Sequence, residues 1–257
     1  MMVQTDNQLE QLQQQVIEEQ RMRAERELEL QQMYAFLSHA AHDLKTPITT
    51  LKTSLYLLQR KPQLATPERL SMMEGQLDRL ANLIDAMSLM ARLDDQSELD
   101  MNETNLGVVI DEAVWSITDR AKAKSITIQQ DLLANIPVLS LNFEESKRAL
   151  VNLLDNAITY SDPNSAVTIR VFEMHGYLCV DIVDEGTGLS DEEIARLFER
   201  FYRGDDAGHG DDQGAGMGLP ITKRIAELHG GKMRVITEKG QGSTFRIMLP
   251  IITETPS

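Results

Sequence analysis

His42 stands beside Asp43, with Thr46 and Pro47 four and five residues on, in the run His-Asp-Leu-Lys-Thr-Pro. An imidazole is a nucleophile near neutral pH. A neighbouring carboxylate can take the proton from one ring nitrogen and raise the reactivity of the other. Pro47 removes a backbone donor and weakens a helix locally. His39, three residues back, offers the same ring. With Ala41 at a and Leu44 at d of a heptad, His42 falls at b and His39 at f, both outward, so position alone does not choose between them. Most such histidines are plain solvated side chains. A metal pair at His39 and His42 would have no third ligand nearby in sequence.

Asn152 and Asn156 are four residues apart. On a helix they share a face well away from the apolar stripe Leu150, Leu153, Leu154 and Ala157. Two carboxamides on one face can hold a hard cation through their oxygens and phosphate through their amide groups; alone, they also fit a solvated polar face. Asp184-Glu-Gly186-Thr-Gly188 follows an apolar strand-like run ending at Val183. Its glycines let the backbone turn tightly, and Asp184 can accept a hydrogen bond from an exocyclic amine such as adenine's. Gly214-Ala-Gly216-Met-Gly218-Leu219-Pro220 precedes a helix and can offer backbone N–H groups to phosphate. Gly242-Ser-Thr244-Phe245 opens the last strand. Each of these signals is weak alone. Between two of the glycine runs, Asp205 to Gln213 is rich in Gly and Asp and reads as a lid. Phe198 and Phe201 would tether its leading end, beside Arg200 and Arg203, candidate partners of a terminal phosphate.

The elements that must hold these residues follow from periodicity. Residues 1–34 form a polar helical lead-in with a weak coiled-coil seam: Leu9, Leu12 and Val16, then Leu30, Met33 and Leu37, with Glu19, Arg23 and Arg26 between. In 35–98, Leu37, Ala41, Leu44, Ile48, Leu51, Leu55 and Leu58 keep unbroken heptads until Lys61-Pro62. Thr66-Pro67 restarts a helix, carried by Leu70, Met73, Leu77, Leu80, Ile84, Met87 and Ala91. Such an antiparallel hairpin has too narrow a seam to be stable alone, so it is expected to pair as a homodimeric four-helix bundle. The polar stretch 94–105 loses the heptads and is read as the domain boundary. Residues 104–251 mix helices near 107–123 and 143–160 and after Pro220 with strands near 126–128, 138–141, 167–171, 178–182, 232–237 and 243–249, turning at His175-Gly176 and Lys239-Gly240. The expected fold is an α/β sandwich with one mixed sheet, and 252–257 is a tail.

The chain has 257 residues, 42% hydrophobic but only 5% aromatic, and a formal charge of −15. That charge argues against nucleic acid as a partner. The single cysteine, Cys179, excludes an internal disulfide or Cys-rich zinc site and is expected to be a buried hydrophobe. No stretch is apolar enough for a membrane segment, and the composition is read as cytoplasmic.

In order and spacing the motifs resemble the catalytic region of bacterial two-component sensor histidine kinases over about residues 33–250. His42 to Pro47 resembles the phospho-acceptor box, Asn152 to Ala157 the N box, and Asp184 to Gly188 the first glycine box. Phe198 to Arg203 resembles the F box, and Gly214 to Leu219 and Gly242 to Phe245 the later glycine boxes. The resemblance implies a dimeric bundle carrying His42 and a gyrase-type ATP-binding sandwich. It implies transfer of the γ-phosphoryl group of ATP to His42, and from there to an aspartate in the receiver domain of a response regulator. It selects His42 over His39. It makes Asn156, helped by Asn152, the Mg²⁺ ligand, Asp184 the adenine reader and Tyr160 a wall of the adenine pocket. Gly186, Gly188, Gly214, Gly216, Gly218, Leu219 and Thr244 fall to the pocket and lid. It further implies that Asp43 and Thr46 support dephosphorylation of the regulator. Three positions depart from the family pattern: Thr159 where a basic residue is usual, Asn142 where an acidic one is, and Pro220 where a small or aliphatic one is. From Asp184 to Asp212 there are ten acidic residues against three arginines. A polyanion would enter such a surface only with a cation, so the nucleotide is expected as its Mg²⁺ complex.

Overall fold

Residues 2–60 hold no glycine and a single proline, and they form one helix, α1 (Met2–Arg60), roughly 90 Å long at 1.5 Å per residue. The computed structural model describes residues 2–95, 98–202, 204 and 216–251, and within α1 the side chains of 18–24, 26–27, 30–31, 34 and 36 onward. Leu9, Leu12, Val16 and Met33 of the lead-in seam lie outside the described side chains, as do the whole of Arg203, the expected lid 205–213, Gly214 and the tail 252–257. The chain divides into two compact units, 1–66 and 67–257.

In the first unit the lead-in and the His42 segment are one continuous helix. Pro47 lies inside it and cannot donate to the carbonyl four residues back. Threonine hydroxyls bond neighbouring carbonyls along the same stretch: Thr46 Oγ1 donates to His42 O at 3.3 Å, Thr49 to Lys45 O at 2.8 Å and Thr50 to Thr46 O at 3.2 Å. The heptad rows differ in cover. Ala41, Ile48 and Leu55 are exposed, whereas Leu44, Leu51 and Leu58 are half-buried. The helix ends before Lys61, and a short 3₁₀ turn, Pro62–Leu64, follows.

The second unit opens with α2 (Pro67–Asp95), which has Pro67 as its first residue. Its rows split the same way: Leu70, Leu77 and Ile84 are exposed, Met73, Leu80 and Met87 half-buried. Nearer its end Leu83, Leu89, Met90 and Leu93 are buried. The sandwich then runs β1 (Asn102–Asn105), α3 (Leu106–Ala123), β2 (Thr127–Asp131), β3 (Val138–Leu141), α4 (Phe143–Tyr160), β4 (Ala166–Met174), β5 (Tyr177–Asp184), α5 (Asp191–Arg196), α6 (Gly218–Leu228), β6 (Lys232–Thr237) and β7 (Ser243–Pro250). The main sheet has the order β2-β4-β5-β7-β6 and is mixed: β2 and β4 are parallel and every other pair antiparallel. Rows such as Ile169, Ile182, Phe245 and Val235 cross it in register. The β4–β5 hairpin turns on His175 and Gly176, both at positive φ (51° and 80°), as a two-residue turn with the twist of its strands requires.

Two features were not in the expectation for this unit. A strand at the end of the boundary stretch, β1, pairs antiparallel with β3 in a separate two-stranded sheet. Only Thr104 of Asn-Glu-Thr-Asn is buried, so no apolar alternation marks the strand. The last helix starts at Gly218 rather than after Pro220; Pro220 lies in its first turn, where no intrahelical N–H is lost.

On the sheet's opposite row, buried Asp181 is met by Arg246 through two bonds of 2.6 and 2.7 Å, and the guanidinium lies 4.9 Å from the Phe172 ring. Cys179 is fully buried, and burial pushes its thiol pKa up, so it behaves as the expected small hydrophobe. No helix among the described residues is long and apolar enough to cross a membrane.

Candidate active site

α4 is the spine of the site. Asn142 caps it, its side chain accepting from Glu145 N at 3.0 Å, so this departure from the family pattern serves the helix start. The Asn142 N–H donates to His229 Nε2 at 3.0 Å, and His229 Nδ1 lies 2.8 Å from Ile225 O. Since a backbone N–H only donates, Nε2 is the unprotonated nitrogen and Nδ1 carries the hydrogen. Burial lowers the His229 pKa and keeps the ring neutral. Leu150, Leu153, Leu154 and Ala157 are buried as the stripe predicts; each leucine contributes about 1.5–3 kcal/mol. That anchorage turns Asn152 and Asn156 the other way, onto the wall of a cavity of about 530 Å³, the size of a small-molecule site.

Asp184 ends β5 on the same wall. One carboxylate oxygen, Oδ1, accepts from Gly186 N at 2.9 Å and from Ser243 N at 3.1 Å. Among the described residues Oδ2 has no hydrogen-bond partner, so it is the atom left for a ligand. Burial raises the Asp184 pKa, and the two N–H bonds only partly oppose this. Gly186 passes so close to α4 that a Cβ would lie 2.6 Å from Tyr160 O. Gly188 has φ +62° and would place a Cβ 2.1 Å from Glu238 O. Both positions therefore require glycine.

Tyr160, Gly188, Gly216, Gly218 and Leu219 also line the cavity. The two ends of the F-box and glycine-box segments meet where Phe201 N donates to Gly216 O at 3.0 Å. Asn152 Nδ2 reaches Gly218 O at 3.4 Å, and the Asn156 carboxamide makes no hydrogen bond among the described residues.

Some expected site residues are placed elsewhere. Thr244 does not line the cavity; Ser243 and Phe245 do. Side chains alternate along a strand, so that two-residue period was a usable signal. Arg200 donates to Asp94 Oδ2 at 2.7 Å and is not on the cavity wall. Lys124, Thr187 and Leu189, not singled out in the sequence, are on it.

His42 and Thr46 are exposed on α1 in the other unit, with Asp43 half-buried, and His39 is exposed as well. Among the described residues no group of three or more His, Cys, Asp or Glu side chains could hold a metal ion. The Asn156 carboxamide, unbonded on the cavity wall beside Asn152, has the kind of oxygen donor that a hard cation takes.

Comparison with known proteins agrees with the motifs. Residues 32–96 match the His Kinase A (phospho-acceptor) domain, and residues 144–253 match the histidine kinase-, DNA gyrase B-, and HSP90-like ATPase family. Sensor protein CzcS of Cupriavidus metallidurans is 29% identical over 86% of this chain and 46% of its own length. Sensor-like histidine kinase SenX3 of Mycobacterium tuberculosis is 31% identical over 85% of this chain and 54% of its own. The chain thus spans about half the length of these curated relatives. Among solved structures, histidine kinase ThkA in complex with response regulator protein TrrA shares the fold, with TM-score 0.70, 20% identity, 86% of this chain and 63% of that one covered. With both domains matched in this order, and with the N-box asparagines and glycine-box residues gathered at one cavity, the chain belongs to the two-component sensor histidine kinases, of which it holds the phospho-acceptor and ATPase domains.

Proposed function

We propose that the chain binds ATP in the α4 cavity and transfers its γ-phosphoryl group to His42, then to an aspartate of a receiver domain. The observation that carries this is the convergence of Asn152, Asn156, Tyr160, Asp184, Gly188 and Gly218, remote in sequence, on one cavity. Asp184 Oδ2 reads the adenine amine, and Tyr160 closes the base pocket. Gly186 keeps the floor thin at Tyr160. The N–H groups at Gly216, Gly218 and Leu219 serve the phosphates; Gly214 and Arg203, outside the described residues, are assigned to them from the sequence alone. Mg²⁺, bound by Asn156 and Asn152 with the triphosphate, would offset the negative charge of the phosphates.

At the other unit, a ring nitrogen of His42 attacks the γ-phosphorus with its lone pair. The bond to the β–γ bridging oxygen breaks, and ADP leaves with that electron pair. Asp43 takes a hydrogen bond from the second ring nitrogen and stabilises the cation that forms. A receiver carboxylate then attacks phosphorus and the P–N bond breaks, returning the histidine. ThkA, whose solved complex contains a response regulator, supports a partner of this class. Asp43 and Thr46 also promote hydrolysis of the regulator's acyl phosphate, Thr46 orienting a water.

The functional domains are 35–98 and 104–251, and the working form is a homodimer. Its support is the exposed rows Ala41, Ile48, Leu55 and Leu70, Leu77, Ile84, apolar surfaces a second bundle half would cover.

The test is incubation with γ-labelled ATP and Mg²⁺, followed by addition of a cognate receiver domain. Acid-labile, base-stable label that moves to the receiver supports the proposal. Label on an acid-stable ester, or none despite bound ATP, overturns it. Thr46→Ala should slow loss of the receiver's label; an unchanged rate removes Thr46 from that step.

A further inference from the structure

We infer that Lys124, the residue that caps the C-terminal end of α3, supplies the phosphate-binding cation that position 159 lacks. This rests on the reading of the α4 cavity as an ATP site. Among the described residues lining that cavity Lys124 is the one cation, set against the carboxylates of Asp155, Asp162, Asp184 and Glu193. It sits at Thr159 itself: Lys124 Nζ donates to Thr159 O at 2.6 Å and to Ile158 O at 2.9 Å.

The two bonds anchor the ammonium at the C-terminal end of α4, where exposed carbonyls and the helix dipole hold a positive charge. An ammonium has three donors, and the two carbonyls use two. The third remains for a ligand oxygen at a wall that also carries Asn156 and Tyr160.

Arg120, one turn earlier on α3, does not compete for that role. It pairs with Asp155, donates to Thr159 Oγ1 at 3.2 Å, and does not line the cavity. Its charge is spent on Asp155, which leaves Lys124 to act on the ligand. A lysine at position 159 would add a third like charge beside Arg120 and Lys124. Thr159, Arg120 and Lys124 therefore form one arrangement, in which the positive charge beside position 159 comes from the end of α3 rather than from α4.

The test measures affinities of the intact chain for Mg-ATP and for adenosine, by calorimetry, in the unaltered protein, Lys124→Met, Lys124→Arg and Lys124→Met/Thr159→Lys. Loss of one charged hydrogen bond predicts about tenfold weaker ATP binding in Lys124→Met or more, with adenosine binding unchanged. Lys124→Arg and the double variant should recover most of the loss. ATP binding that survives Lys124→Met overturns the inference, as does an equal loss for ATP and adenosine, which would make the lysine only a helix cap. Failure of the unaltered chain to bind ATP overturns the reading of the cavity itself and is seen before any variant is compared.

Discussion

Replacing Asp184 with asparagine changes one atom at the base of the cavity and should separate nucleotide recognition from folding. Oδ1 is pinned by the Gly186 and Ser243 N–H groups at 2.9 and 3.1 Å. An asparagine that keeps those bonds must turn its NH₂ group toward the cavity, where Oδ2 stood. Adenine presents an amine donor at its N6 position, so donor meets donor. The lost bond involves a charged acceptor, worth about 1.5–3 kcal/mol, or roughly 10- to 100-fold in affinity. Guanine presents an acceptor at O6 instead, so preference for ATP over GTP should shrink with the affinity. Folding should change little, within about 1 kcal/mol, because weaker acceptance by the amide is offset by relief of a buried charge. The pH dependence has a definite sign. Burial raises the folded-state pKa of Asp184, so its ionisation costs stability as pH rises from the ordinary carboxylate value through the raised one. In the opposite direction, ATP affinity falls as pH drops through the raised value, because the proton on Oδ2 turns an acceptor into a donor. Calorimetric titration with Mg-ATP and Mg-GTP, beside urea unfolding, reads both quantities. A folded Asp184→Asn protein that binds ATP within about threefold of the unaltered chain, at a tenfold reference of 1.4 kcal/mol, would refute the adenine assignment.

Other consequences can be measured on the same preparations. Gly188→Ala combines φ +62° with a contact of 2.1 Å to Glu238 O and should cost about 1–3 kcal/mol or more in urea. Gly75→Ala, on α2 with nothing within 4 Å of the new Cβ, should instead stabilise by up to about 1 kcal/mol; similar effects at the two sites would contradict the geometry. His229 has a lowered folded pKa, so the stability it contributes is complete above the ordinary imidazole value and is lost as pH falls below about 6.5. Urea midpoints from pH 7 to 5 should fall more steeply in the unaltered chain than in His229→Gln, and parallel curves would discount the Asn142–His229 bond. Lysines at Ile48 and Leu77 together should leave the ATP cavity intact but shift sedimentation from dimer to monomer; a persistent dimer would place the interface elsewhere.

The elements carrying the site were readable because they are amphipathic. The stripe Leu150, Leu153, Leu154 and Ala157 faces the core, and that alone turns Asn152 and Asn156 to the cavity. Glycines at 186 and 188 mark close approaches of backbone to backbone, which no side chain permits. What escaped depends on tertiary placement or on weak local pattern. β1 exposes three of its four polar residues and carries no alternation. Its pairing with β3 is legible only once β3 is in place. Ser243 rather than Thr244 meets the site because β5 and β7 set which strand face looks inward. Arg200 was expected at a phosphate because of its neighbours in sequence, yet an acidic residue more than a hundred positions earlier, Asp94, takes its guanidinium. Lys124 lies in Lys-Ala-Lys, a run that reads as a solvated helix end. Only the crossing of α3 over the end of α4 brings it to the cavity.

The central claim is that one nitrogen-bearing side chain, His42, receives the phosphoryl group. Tandem mass spectrometry at neutral pH on peptides from the chain after incubation with Mg-ATP tests it directly. A phosphoryl group is expected on His42, absent from His39 and lost entirely in His42→Gln. Modification of His39, or of any residue that persists in His42→Gln, would contradict it.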